Sequence, residues 1–516
     1  MTDTITPVSV ATAPALAPKE LPAQFADLAP FTDWIFDTWR PRYEKRLAST
    51  MDEMQAFYDA ILPRMADIID YANGFDLDDL PDDVRTLLLL TFAFCEASFP
   101  VEAWRQPRVP DSGAADLIMV SEPPLGSGAP GTSIDSMDVR TFRQELTAWL
   151  DAHADELAPP FAGNGTLDEQ MAQYRLVKGA LWEADFGRYG WPEPVGGLGG
   201  PTMFRAVVGE EVASRELADP SIWTMIEVLA PTISAFGPPE LVADMVPRFL
   251  RGEELWCQGF SEPGAGSDLA SLTCRAEAVD GGWRVNGQKV WTSYAQYARR
   301  CVLLARTGEP GSAHRGITAF FVDMDSPGIS PSPIEAQHGR LEFAEVFYDD
   351  VFVPDDRRLG DVGQGWQVAM DVLPYERSTT FWHRGAHLHH RCDQLVARIA
   401  DGDDVPATTA KALGEAFQAV IAFRSRSRDT QFRLAAGEQL GAETSIDKIL
   451  IATAEQTLLE TARDTLSGVI EFDDDTFADR WREEYLYSKA ATIYGGTSEI
   501  QRNIVARRLL DLGAES

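Results

Sequence analysis

Apolar residues change their spacing twice along this chain, and the two changes limit the folds open to it more than any other feature. Outside 256–354 they recur at three and four residues, the period of a helix with one buried face. Inside that window they alternate and are enriched in β-branched and aromatic types, which suits strands. The segments 272–279, 283–292, 301–307, 317–322 and 341–353 read as strands. Asp280-Gly281-Gly282 and Asn286-Gly287 read as hairpin turns, because Asn, Asp and Gly tolerate positive φ. The expectation is a mainly α protein with a central antiparallel β domain.

Residues 1–25, rich in Ala, Pro, Thr and Val without a period, read as a disordered tail. A helical module follows at 26–106. Met54, Phe57, Tyr58, Ile61, Met65 and Ile68 predict one helix over 54–69, and a second covers 84–97. Residues 107–136 collect Pro, Gly and Ser, as in Pro123-Pro124-Leu125-Gly126-Ser127-Gly128, and read as a linker. An α domain at 137–255, the β domain at 256–356 and a helical domain at 357–516 complete the order. Helices are clearest at 139–154, 206–213, 410–433 and 446–470, with Pro/Gly breaks at 192–201 and 237–239.

Charge and cysteine content narrow the function. Lys+Arg 45 against Asp+Glu 80 gives a net charge of -35, which argues against nucleic acid or an anionic membrane surface as partner. Cys95, Cys257, Cys274, Cys301 and Cys392 include no Cys-x-x-Cys pair, so neither a zinc site nor a disulfide framework is indicated. The first residues carry no basic and apolar leader, and the strongest apolar run, at 87–95, is shorter than the roughly 20 residues that span a bilayer. A cytoplasmic protein without a membrane span is expected.

Three segments carry chemistry. Gln258-Gly259-Phe260-Ser261-Glu262-Pro263-Gly264-Ala265-Gly266-Ser267-Asp268 is a Gly-rich loop that lets backbone approach a flat or anionic ligand. Lys289-Val290-Trp291-Thr292-Ser293 follows, and Tyr494-Gly495-Gly496-Thr497-Ser498-Glu499-Ile500-Gln501-Arg502-Asn503 lies near the C-terminus. In this order and spacing they resemble the acyl-CoA dehydrogenase family, over about 137–512. The resemblance implies an α domain, a β-barrel or sheet domain and a C-terminal four-helix bundle, with FAD as cofactor. It implies Phe260 and Ser261 at the flavin pyrimidine edge, Trp291, Thr292 and Ser293 around the ring near N5, and Thr497, Ser498 and Glu499 on FAD. Ser267 falls where the loop meets both flavin and the pantetheine arm of the substrate.

Removing an α proton from an acyl thioester as hydride leaves the β carbon requires a carboxylate facing the flavin. In many members it occupies the second position of the C-terminal motif, where this chain has Gly495. A subset resembling the isovaleryl- and long-chain-type dehydrogenases carries it in Leu-x-x-Glu-Arg, matched here by Leu373-Pro374-Tyr375-Glu376-Arg377. Glu376 is therefore the expected base, its pKa raised toward neutrality by burial, with Arg377 and Gly495 as substrate contacts. Pro374 is expected to kink that helix or start a new one. The family's Arg-x-x-x-Phe-Gly segment, which reaches the FAD pyrophosphate of a neighbouring subunit, has only an echo in Arg428-Asp429-Thr430-Gln431-Phe432-Arg433. Thr444 or Ser445 is expected to cap a helix.

His383 and His387 have the spacing of a helical metal pair, but no third ligand completes it, so they and His389 and His390 are expected around the acyl pocket. Gly196-Gly197-Leu198-Gly199-Gly200 reads as a flexible loop and Arg299-Arg300 as a solvated hairpin face. The implied reaction is dehydrogenation of an acyl-CoA, or a related acyl thioester, to the enoyl thioester, with electrons passed to an acceptor such as electron-transfer flavoprotein. The implied assembly is a homodimer or homotetramer. A flavin oxidase or monooxygenase on the same fold, or a non-catalytic binding paralogue, are the alternatives.

Overall fold

The computed structural model describes residues 20–75, 80–107, 138–309, 311–376, 379–400, 405–436, 438, 440–466, 468–473 and 475–513. The expected tail up to residue 19, most of the expected linker and Arg377 lie outside the described residues. The chain forms two compact units, 1–133 and 134–516.

In the first unit lie Trp39–Ala48 (α1), Met51–Ile61 (α2), Met65–Ala72 (α3) and Asp82–Phe99 (α4). The single helix expected over 54–69 is broken by a 3-10 turn at Leu62–Arg64, because Pro63 has no N–H to continue the ladder. Thr50 opens α2 in a reciprocal capping box with Glu53. Phe57 anchors the core, stacked 4.5 Å from Trp34. The short apolar run at 87–95 belongs to a longer helix. Asp82–Ala103 spans 22 residues, long and apolar enough to cross a membrane by length and composition alone, and half of its most apolar stretch is buried inside the protein.

The second unit begins with Val139–Ala152 (α5), Ala154–Leu157 (α6), Leu167–Glu183 (α7), Met203–Ser214 (α8), Pro220–Phe236 (α9) and Pro239–Leu250 (α10). The Gly-rich segment at 196–200 is not loose. Gly190 N donates to Gly199 O at 2.7 Å, Leu198 N to Arg188 O at 3.0 Å and Gly199 N to Trp191 O at 2.8 Å, so backbone pairing fixes the loop.

Eight strands follow: Trp256–Gly259 (β1), Arg275–Val279 (β2), Gly282–Ser293 (β3), Arg300–Arg306 (β4), Ile317–Asp323 (β5), Ile329–Ile334 (β6), Phe343–Pro354 (β7) and Arg358–Leu359 (β8). They form one sheet in the order β6-β7-β3-β2-β4-β5-β8, with β1 paired to β4. The sheet is mixed rather than antiparallel. β1 runs parallel to β4, Cys257 opposite Cys301, because it enters directly from α10 and not through a hairpin. Short β1 and β8, and β6 with its Pro331 and Pro333, escape recognition in the sequence; β6 is an edge strand, where proline is tolerated. Asp280 and Gly281 do form a two-residue hairpin, since Val279 pairs with Gly282. Asn286-Gly287 instead lies inside β3 at a bulge, where Gly287 adopts φ +152 and a Cβ would stand 2.7 Å from Cys274 Cα. Arg300 is buried, not solvated, and bonds Glu254 and Asp323, whereas Arg299 is exposed.

Helices α5 and α7 to α10 and one sheet face share a single core containing Phe249, Trp256, Val302 and Phe321. Trp283, Phe320 and Tyr348 fill the other face. Helices return as Gly365–Glu376 (α11), Thr379–Ala400 (α12), Ala407–Ala435 (α13), Thr444–Thr465 (α14), Val469–Phe472 (α15), Thr476–Ser488 (α16) and Ser498–Arg508 (α17). The helix expected over 446–470 splits between α14 and α15, where Gly468 takes φ +85. Glu443, not Thr444 or Ser445, holds the cap position of α14; Thr444 Oγ1 donates to Gly441 O at 2.9 Å.

His383 on α12 is fully buried against Gly209 of α8, and a Cβ on Gly209 would collide with the imidazole ring. Burial, reinforced by the Lys178 ammonium, pushes this imidazole down to about 4, so it is neutral at physiological pH. Gly209→Ala should therefore lower the melting temperature, at a cost of about 1–3 kcal/mol for overpacking. Differential scanning fluorimetry checks this; an unchanged midpoint contradicts the packing described.

Candidate active site

The Gly-rich loop is tied to β3 by a buried ion pair. Lys289 Nζ donates to Glu262 Oε1 at 2.8 Å and to Phe260 O at 3.1 Å. Glu262 also accepts from Thr273 N at 2.6 Å, Thr273 Oγ1 at 2.7 Å and Cys274 N at 2.8 Å. Burial acts to raise this carboxyl, but the ammonium and the backbone donors outweigh it and hold the group below its ordinary value. Val290 N donates to Ser261 O at 2.9 Å, which brings Ser261 beside Trp291, Thr292 and Ser293. The Phe260 ring packs into the core, leaving its backbone at the loop edge. Ser261 is half-buried and Ser267 exposed. Glu262 and Lys289, read in the sequence only as parts of motifs, are what fasten the loop.

Trp291 departs from normal core behaviour in two ways. It is 59% exposed, and it holds φ +60, a left-handed conformation that is strained for a bulky residue. Thr292 is buried, and its Oγ1 has no partner among the described residues; neither has Gln258 Oε1 on β1. Gly264 and Gly266 face open space. An exposed indole, orphaned oxygens on two strands and an open Gly loop fit a planar heterocycle with hydrogen-bonding edges, so the residues present suit FAD.

On the other side lies the turn at Gly495, which takes φ +62. A Cβ placed there would stand 2.7 Å from Glu376 Oε1 and 3.4 Å from Lys448 Cε. The Glu376 carboxylate, at the end of α11, thus fills the space that a side chain at 495 would enter. Lys448 is buried, its Nζ 4.4 Å from the Tyr494 ring centroid and donating to Ala491 O. Gln501, fully buried and not singled out by the sequence, donates from Nε2 to Gly495 O at 3.1 Å and Gly496 O at 3.3 Å. Thr497 caps α17 by accepting from Ile500 N at 3.2 Å; Ser498 is buried and Glu499 exposed.

The two sides are linked. Tyr294, next after Ser293, donates from N to Glu342 O at 2.6 Å. His338 lies 5.5 Å from Tyr487, and Tyr487 lies 6.0 Å from Tyr494, centroid to centroid. Arg428 is exposed on α13 with its guanidinium 5.4 Å over the Phe432 ring of the same helix. No group of three metal-ligating side chains occurs among the described residues.

Comparison with known proteins identifies the same three-part organisation. The acyl-CoA dehydrogenase N-terminal, middle and C-terminal domain profiles match residues 136–253, 257–351 and 363–510. Acyl-CoA dehydrogenase IpdE1 of Mycobacterium tuberculosis is 38% identical over 388 residues, covering 73% of this chain and 99% of that protein. FadE34 of the same organism is 35% identical over 361 residues, 69% of this chain and 48% of that protein. Among solved structures, the Tcur3481-Tcur3483 steroid ACAD superimposes with a TM-score of 0.64 at 25% identity, over 73% of this chain and all of that one.

Lys289→Met strands the Glu262 carboxylate out of water, and should cost about 3–5 kcal/mol and reduce the FAD retained per chain. Because Glu262 titrates below its ordinary value when folded, the pair stabilises above the unfolded carboxylate pKa, and its contribution is lost as pH falls through the folded value. The gap in melting temperature between parent and variant should therefore close in acid, as a pH series of melts and flavin absorbance would register.

Proposed function

The chain belongs to the acyl-CoA dehydrogenase family, and from that premise we propose that Glu376 is the base that takes the α proton of an acyl-CoA, or related acyl thioester, as it is oxidised to the enoyl thioester. The observation that carries this reading is the Glu376 carboxylate standing 2.7 Å from where a Cβ on Gly495 would be. Many members carry the base at the Gly495 position, so the carboxylate is supplied from another helix to the same point. That argues against a non-catalytic paralogue.

The enzyme is a flavin-dependent acyl-CoA dehydrogenase, and FAD supplies the hydride-accepting ring. With FAD bound, Trp291 would cover one face of the ring and keep water from it, and the Ser293 hydroxyl would donate to its hydride-accepting edge. Thr292, Phe260 and Ser261 would line the ring edge, and Thr497, Ser498 and Glu499 would hold the cofactor from the C-terminal turn. Ser267 and Gly495 contact the substrate. Electrons leave to an acceptor such as electron-transfer flavoprotein, and the protein works as a homo-oligomer in the cytoplasm. Unpaired thiols at all five cysteines support a reducing compartment.

Lys448 tunes the base: an ammonium beside a carboxylate favours its ionised form. Glu376→Gln, purified with FAD, should slow anaerobic bleaching of the flavin by acyl-CoA about 10²- to 10⁴-fold, the range of general base catalysis. Bleaching at the parent rate would assign the base elsewhere. Lys448→Met should move the acid limb of the kcat/KM profile to higher pH, since losing the cation raises the carboxyl pKa; an unmoved limb removes Lys448 from this role.

A further inference from the structure

Helix α4, continued by a π-helical turn at Pro100–Trp104, is apolar on two opposite faces. One face enters the core of the first unit through Leu87, Leu90, Phe94 and Ala97. On the other, Leu88, Phe92, Cys95 and Phe99 follow one another at spacings of four, three and four, the repeat of a seam between two helices. Leu88 is half-buried, Cys95 is exposed and Phe99 is 59% exposed. Phe92 is half-buried too, with one edge on the core and the Arg42 guanidinium 5.6 Å over its ring. An outward helix face is ordinarily polar, and a contiguous apolar stripe there marks an interaction surface.

The ends of the stripe select its partner. Arg85 lies three residues before Leu88 and Glu102 three residues after Phe99, so the stripe runs from a cation to an anion. Each is only lightly engaged. Arg85 donates to Asp37 Oδ1 at 3.4 Å, and the exposed Glu102 accepts from Tyr58 Oη at 2.6 Å. A guanidinium with five donors and a carboxylate with about four lone-pair sites both retain capacity for a further partner. A second copy of α4, laid antiparallel about a two-fold between Phe92 and Cys95, sets Leu88 against Phe99 and Phe92 against Cys95. The same two-fold brings the Arg85 end of each helix to the Glu102 end of the other. It also carries the acidic first turn, Asp82 and Asp83, toward Arg105 just past the helix. A parallel pair would instead stack Arg85 on Arg85 and Glu102 on Glu102. The apolar seam supplies the contact, and the charges fix its direction and register.

We propose that the outer face of α4 is a two-fold interface at which the first unit pairs, antiparallel, with the same unit of a second copy of this chain. The pairing is independent of the chemistry assigned to the second unit.

Cys95 reports on the seam directly, since Cys257, Cys274, Cys301 and Cys392 are buried. The rate at which N-ethylmaleimide labels Cys95, located by peptide mass spectrometry, is measured on the full FAD-loaded protein. Arg85→Glu and Glu102→Arg each place like charges across the two-fold and should label about tenfold faster than the parent. An equimolar mixture of these two variants should return to the parent rate, because each then supplies the charge that the other lacks. Phe99→Glu, which leaves the Asp37 and Tyr58 contacts alone, should label as fast as the single charge variants at an unchanged melting temperature. Equal rates in the parent and every variant overturn the proposal, the face then being open or covered by its own chain. Fast labelling that persists in the mixture overturns it too, since the variants then act within their own chain. Protection of the parent only when phosphatidylcholine vesicles are added assigns the face to a lipid surface and overturns the pairing as well.

Discussion

Lys289 and Glu262 sit 2.8 Å apart with side chains 0% and 4% exposed, and the seat of the Gly-rich loop on the sheet hangs on that contact. A charge buried alone would cost several kcal/mol, so each of the two fixes the other. Lys289 belongs to β3 and Glu262 to the Gly-rich loop, and the remaining carboxylate lone pairs are filled by Thr273 and Cys274. The loop can therefore stay open at Gly264 and Gly266 without floating away from the strand. Two residues beyond Lys289 the chain adopts the left-handed turn that sets Trp291 outward. Such strain persists only where the surroundings over-determine it, and the ion pair on one side and the β3–β7 ladder on the other supply that determination.

The alternation of apolar residues made the sheet legible, and helical spacing made the long helices legible, because both report burial of one face over many residues. What sequence could not reveal was local competition. Pro63 and Gly468 each divide a helix whose apolar spacing runs on unbroken, since a missing N–H or a positive φ acts at one residue while the pattern is averaged over many. Asn286-Gly287 has hairpin chemistry but serves a bulge, since the partner of β3 there is β7, far along the chain. The parallel pairing of β1 with β4 is likewise set by where α10 delivers the chain, not by any property of Trp256–Gly259.

The site divides the same way. Trp291, Thr292, Ser293 and Gly495 lie in motifs whose order along the chain is informative; Gln501 shares the C-terminal motif but its hold on the 495 turn does not show in residue type, and Lys448, which charges that turn, lies in no motif. Buried polar side chains are indistinguishable from surface ones until their partners are known. Gly196–Gly200 errs in the opposite direction. Its composition suggests freedom, but its backbone groups are paired across the loop, and that pairing is invisible in residue types.

One helix carries the Glu376 carboxylate from the sheet to the turn at Gly495. α11 is pinned at its start, where a Cβ on Gly365 would lie 2.5 Å from Thr318 of β5, and again where Thr232 Oγ1 donates to Asp371 Oδ2 at 2.7 Å. Pro374 then removes a backbone donor two residues before Glu376. The carboxylate is thus held on a rod fastened to the sheet and to α9, and it stands where a side chain at Gly495 would enter. α12 packs against α8 and α9, with His383 seated on Gly209. A carboxylate supplied from residue 376 and not from residue 495 is therefore fixed by the packing of α11 on β5 and α9, and not by the conformation of the 495 turn alone.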